Sequence, residues 1–124
     1  IAIKTNANII LVHRNQESVT LHEKKQYNDV INQVKDEILI KVSELINLGI
    51  KKEQIAIDPG LGFGKEMKDS ANILKNIEQF QVGYPLVVGY SNKKFLQFVE
   101  LSSDEVYKHC KSSGVSLMRL HLND

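Results

Sequence analysis

One cysteine, Cys110, is present in this 124-residue chain, so no disulfide framework can form and a reducing, cytoplasmic setting is the expectation. Charge of either sign is scarcely in excess. The formal net charge of +1 gives no reason to expect nucleic acid or an anionic membrane surface as a partner. Long hydrophobic runs are missing as well; none would span a bilayer. The chain starts at Ile1 rather than at a methionine, and nothing there resembles a signal peptide. Linkers, internal repeats, low-complexity tracts and zinc-ligand spacings are all absent from the pattern. What remains is 42% hydrophobic and 25% charged, an ordinary globular composition for one domain or part of one.

Against that plain background one string stands out, Asp58-Pro59-Gly60-Leu61-Gly62-Phe63-Gly64-Lys65. It follows the apolar run Ile55-Ala56-Ile57, so a buried strand ends in a carboxylate and then a glycine-rich turn. The glycines open backbone angles closed to other residues and let a ligand approach the main chain. The dinucleotide fingerprint does not fit the glycine spacing, and a phosphate loop fails because Lys65 is followed by Glu66. A tight strand-to-helix turn would account for the glycines alone. It does not account for Asp58, because a carboxylate ending a buried strand costs desolvation energy unless something pairs with it.

Four short, mostly continuous apolar runs read as parallel strands covered on both faces: Asn8 to Val12, Ile55 to Ile57, Leu86 to Val88, and Val115 to Leu120. Between the first two, Val30, Ile31, Val34, Ile38, Val42, Leu45 and Ile46 recur at helical spacing and Gly49 is a natural stop. Ile73, Leu74, Ile77 and Phe80 mark a second helix, capped by Asp69 or Ser70 and closed by Gly83. Lys93 to Glu100 predicts a third. Ser102-Ser103-Asp104-Glu105 holds a capping-box pattern for a fourth, ending near Gly114. The order β-α-β-α-β-α-β is the grammar of a parallel α/β fold. His13, Asp58, Ser91 with Lys93, and Arg119 with His121 then fall at or just past the C-terminal strand ends, where such folds bind ligands. Four units with no closing helix read as the C-terminal half of a (β/α)8 barrel, a fold of about 250 residues. No internal boundary divides residues 1–124, which form a single partial domain.

The other chemistry-bearing residues divide. Arg119 and His121 are two apart on an apolar strand and share a face, as a phosphate clamp or a structural ion pair requires. Gly89 would let a flat ligand lie on the backbone, and Lys93 or Lys94 could aim at a carbonyl or ring nitrogen. His13 reads as a capping or solvent-exposed side chain, Lys35-Asp36-Glu37 as a solvated helix face, and Cys110 as a half-buried filler rather than a nucleophile.

Taken together, these strings resemble the dihydropteroate synthases of the pterin-binding (β/α)8 superfamily. The glycine loop looks like that family's Asp-Pro-Gly-Ile/Leu-Gly-Phe-Gly-Lys. Tyr84-Pro85-Leu86-Val87-Val88-Gly89-Tyr90-Ser91 with Lys93 and Phe95 is similar to its seventh-strand motif, Leu11-Val12-His13 to its fifth strand, and Arg119-Leu120-His121 to its eighth. The resemblance implies barrel strands 5 to 8. It also implies a transferase that joins 6-hydroxymethyl-7,8-dihydropterin pyrophosphate to p-aminobenzoate. By the same resemblance Asp58, Phe63, Gly89, Lys93 and Arg119 would bind the pterin, Lys93 and Arg119 would be catalytic, and Arg119 with His121 would hold the pyrophosphate. Mg2+ would travel on that pyrophosphate, with no metal ligand in this chain.

Departures accompany the match. Asn92 stands where the family has arginine, Val12 replaces methionine, and Leu122-Asn123-Asp124 lacks the usual aspartate after the histidine. The family's first four strands, with a pyrophosphate-binding loop and further pterin contacts, are not represented, so the N-terminal half of the barrel is an expected partner, as is a homodimer. Two other functions fit the same strings: a methyltetrahydrofolate-dependent corrinoid methyltransferase, and a degenerate, non-catalytic barrel subunit.

Overall fold

In the computed structural model, residues 8–14, 29–62, 65–89 and 93–119 are described. Strand β1 (Ile9–Val12) precedes helix α1 (Val30–Asn47), and β2 (Ile55–Asp58) precedes α2 (Met67–Lys75). Strand β3 (Val87–Gly89) is followed by α3 (Lys93–Val99) and α4 (Ser103–Ser112), and β4 (Leu117–Arg119) comes last. Short 3-10 turns at Lys52–Gln54 and Ile77–Phe80 lead towards β2 and β3.

Among the described residues all pairing is parallel. β1 lies on β2 with Val12 opposite Asp58, and β3 lies on β4 with Gly89 opposite Arg119. The two pairs meet through a parallel bridge between Ile57 and Leu86, with Ile57 N donating to Pro85 O at 2.9 Å. The spatial order is therefore 1-2-3-4, without the reversal that marks a doubly wound sheet. Consecutive strands joined by helices make an arc of the kind that closes into a barrel. Among the described residues β1 and β4 each pair on one side only, and Ile10 and Leu117 on these outer strands are exposed.

One apolar cluster holds the layers together. Val30, Val34, Ile38 and Val42 repeat every four residues along α1 and are buried on the same cluster as Ile55 and Ile57 of β2. Ile73 and Leu74 of α2, Ile77 and Phe80 of the turn after it, and Val106 and Cys110 of α4 join the same cluster. Asp29 caps α1 by accepting from Asn32 N, and Gly49 ends it at a φ of 100°. Helix α4 has the expected capping box, with Ser102 Oγ accepting from Glu105 N at 3.1 Å and Glu105 Oε1 from Ser102 N at 3.0 Å. Ser102→Ala is expected to cost about 1 kcal/mol, read as a lower urea midpoint with unchanged slope.

Three expectations shift. Helix α2 starts at Met67 after Glu66, so Asp69 and Ser70 lie inside its first turns rather than capping it, and it ends at Lys75 before a separate 3-10 turn. The last strand spans Leu117–Arg119, with Val115 already buried ahead of it. The second includes Asp58 as its final residue. These are local register changes; the β-α order stands.

Candidate functional site

The parallel register carries His13, Asp58, Gly89 and Arg119 to one edge of the layer, the C-terminal edge, and α3 begins there with Lys93. Burial of Phe95 anchors that first turn of α3 to the core. For Lys93 and Arg119 the backbone position is what the structure gives. Phe63 and His121 lie outside the described residues, as do Tyr90, Ser91 and Asn92.

Asp58 is 1% exposed, so its carboxylate is withdrawn from solvent. Gly60 N donates to Asp58 Oδ1 at 2.8 Å, a turn across Pro59 in which the side chain takes the place of a backbone acceptor. The Asp58 carbonyl accepts from His13 N at 2.9 Å, fastening the ends of β1 and β2 together. Gly60 has a φ of +72°, and a Cβ there would come within 2.0 Å of the His13 carbonyl oxygen. The loop thus presses its backbone against the end of β1, which only glycine permits. Farther along, Gly62 N donates to Ser70 Oγ at 2.9 Å, so a serine inside α2 holds the loop's second glycine.

Two buried side chains, Lys65 and His13, sit where the sequence alone does not place them. Lys65 is 1% exposed, and its Nζ donates to Gly60 O at 2.9 Å. Burial pulls its ammonium down from 10.5 to about 8, and the acids Asp58, Glu37 and Asp69 oppose that shift in decreasing order. His13, expected to be capping or exposed, is buried instead, with Nε2 2.7 Å from Glu37 Oε1. Glu37 accordingly belongs to the site's surroundings rather than to a solvated helix face. Asp69 is also buried. Desolvation raises its carboxyl above the ordinary range, and its Oδ2 has no hydrogen-bond partner among the described residues. Lysine directly after a glycine loop was a visible signal; the Glu37 contact, 24 residues from His13, left no local trace.

Cys110 is fully buried, which pushes its thiol up to about 11 and leaves it a core side chain with no thiolate to offer at neutral pH. Among the described residues no group of three or more His, Cys, Asp or Glu side chains could hold a metal ion, and no helix is long and apolar enough to cross a membrane.

Residues 1–121 match the family model described as pterin binding enzyme. A dihydropteroate synthase of Haemophilus influenzae is 30% identical over 96 residues, covering 77% of this chain and 35% of that protein. The chain therefore spans about a third of the length of the curated relatives it matches. Among solved structures, dihydropteroate synthase from Stenotrophomonas maltophilia with active-site-bound imidazole superposes with a TM-score of 0.83 at 24% identity, over 98% of this chain and 49% of that one. The Xanthomonas albilineans enzyme with 4-aminobenzoic acid gives a TM-score of 0.79 at 23% identity, over 94% and 44%. At that level of identity these two likenesses establish a shared α/β fold.

Proposed function

The chain belongs to the pterin binding enzyme family, and we propose that it is the C-terminal half of a dihydropteroate synthase barrel, strands 5 to 8. The observation that carries this reading is the buried Asp58 at a C-terminal strand end, locked to its own glycine loop and sharing an edge with Gly89, Lys93 and Arg119. Coverage of 49% of the Stenotrophomonas chain and, among the described residues, the pairing of β1 and β4 on one side only support a half barrel. The N-terminal half would pair with the outer strands. Complete barrels would then assemble as a homodimer in the cytoplasm.

In this reading Asp58 accepts hydrogen bonds from the pyrimidine edge of 6-hydroxymethyl-7,8-dihydropterin pyrophosphate. At 1% exposure Asp58 is already withdrawn from water. A carboxylate shielded from water makes a stronger acceptor for two N–H donors than one in solvent. Lys93 donates to the ring, and Phe63 and Gly89 shape the slot. The amine of p-aminobenzoate attacks the exocyclic methylene. A C–N bond forms, the C–O bond to pyrophosphate breaks, and the amine gives up a proton as 7,8-dihydropteroate forms. Arg119 braces the pterin and, with His121, faces the negative charge gathering on the departing pyrophosphate, which preorganised cations stabilise most in the transition state. The described residues offer Mg2+ no cage of their own; the ion would arrive on the pyrophosphate and neutralise part of its charge.

Pyrophosphate release by the chain assembled with the rest of its barrel tests the proposal. Release that depends on both p-aminobenzoate and the pterin pyrophosphate is expected. Pterin binding without release would favour the degenerate subunit, and methyl transfer from methyltetrahydrofolate to a corrinoid would favour the methyltransferase.

A further inference from the structure

We propose that Lys65 is a positioning residue for Asp58: its ammonium clamps the Gly60 carbonyl and supplies the positive charge that holds Asp58 as a carboxylate facing the ligand. The inference rests on the reading of Asp58 as the pterin acceptor. The geometry is a relay of two hydrogen bonds through Gly60. Lys65 Nζ takes the Gly60 carbonyl at 2.9 Å, and the Gly60 amide takes Asp58 Oδ1 at 2.8 Å, so one peptide residue is held from both sides. A Cβ on Gly60 would sit 3.3 Å from Lys65 Nζ and 2.0 Å from His13 O, so the loop has no slack between the lysine and the end of β1.

Space filling alone would not call for a lysine here. An apolar side chain fills an interior without the cost of desolvating an ammonium, and lysines are almost never fully buried unless paired. The charges facing Lys65 among the described residues come from three elements: Asp58 on β2, Glu37 on α1 and Asp69 on α2. Of these acids Asp58 has the largest influence on the ammonium, and His13, at the end of β1, contacts Glu37 at 2.7 Å. The attraction between the two is mutual: it favours the charged lysine and the charged Asp58 carboxylate equally. With the ammonium lowered to about 8, that support is present at neutral pH and is withdrawn as pH rises through 8.

Two variants separate charge from hydrogen bond. Lys65→Gln keeps a donor for Gly60 O and loses the charge, whereas Lys65→Met loses both. In the assembled barrel, carbon NMR titration of the Asp58 carboxyl should show its midpoint raised in both variants, with no ligand added. Affinity for the pterin pyrophosphate at neutral pH should fall roughly tenfold in Lys65→Gln and further in Lys65→Met, with circular dichroism confirming that both remain folded. Should either variant not fold, the wild-type protein still decides: its affinity should weaken through a midpoint near pH 8. An unmoved Asp58 midpoint together with native affinity in Lys65→Gln would overturn the inference, as would flat wild-type affinity across that midpoint. Wild-type protein that binds no pterin would overturn the proposed function instead, and the Asp58 titration would still decide whether the two charges are coupled.

Discussion

Asp58→Asn is expected to abolish measurable pterin binding while leaving the fold in place. An amide is nearly the same size as the carboxylate, and its oxygen can still accept from Gly60 N, where Oδ1 now lies 2.8 Å away. What it cannot do is accept two N–H donors with a full negative charge, because its second polar atom is itself a donor. Hydrogen bonds to a charged group are worth about 1.5–3 kcal/mol each, so two of them amount to roughly 3–6 kcal/mol, or about two to four decades in affinity. Burial sharpens the effect, since a pterin N–H facing another N–H inside the protein has no water to turn to. Calorimetric titration with the pterin pyrophosphate, alongside a thermal melt, checks both halves. Native affinity in the variant would remove Asp58 from the site.

Gly60→Ala should be far more damaging than Gly62→Ala. Both glycines have positive φ, +72° and +86°, so alanine at either position strains the backbone by about 1–2 kcal/mol. Their surroundings differ. At Gly60 the new methyl would meet the His13 carbonyl oxygen at 2.0 Å, while at Gly62 nothing lies within 4 Å. That carbonyl belongs to the backbone just after β1 and cannot rotate away like a flexible side chain, so the loop or the strand end must move. Moving either one disturbs the turn through Asp58 and the clamp from Lys65. We expect Gly60→Ala to lose more than about 2 kcal/mol of stability together with most pterin affinity, and Gly62→Ala to keep its affinity. Urea unfolding and pterin titration of the pair read the contrast. Equal effects would mean that strain, rather than the approach to β1, governs the loop.

The β-α order was legible because buried parallel strands leave continuous apolar runs and α1 repeats its core positions every four residues. Capping was legible where it is chemical and local, as at Ser102 and Glu105, and misled at Asp69 and Ser70. Those two are good cap formers, yet α2 starts at Met67, and Ser70 spends its hydroxyl on Gly62 instead. Asp58 was legible as a carboxylate at the end of a buried strand. Its supporting cast was not. Lys65 reads in sequence as a lysine that fails a phosphate-loop pattern, and its partner, the Gly60 carbonyl, has no letter of its own. His13 and Glu37 meet only because α1 folds back over the end of β1. Long-range pairing of this kind leaves no periodicity to read.

Backbone amide shifts of the assembled barrel, followed during titration with the pterin pyrophosphate, locate the bound ligand on the fold. The largest shifts should fall at the C-terminal strand edge, at His13, Asp58, Gly60, Gly62 and Gly89, and Asp58→Asn should erase them. Saturable shifts confined to the opposite ends of the strands, or shifts at this edge that survive Asp58→Asn, would contradict pterin binding at Asp58.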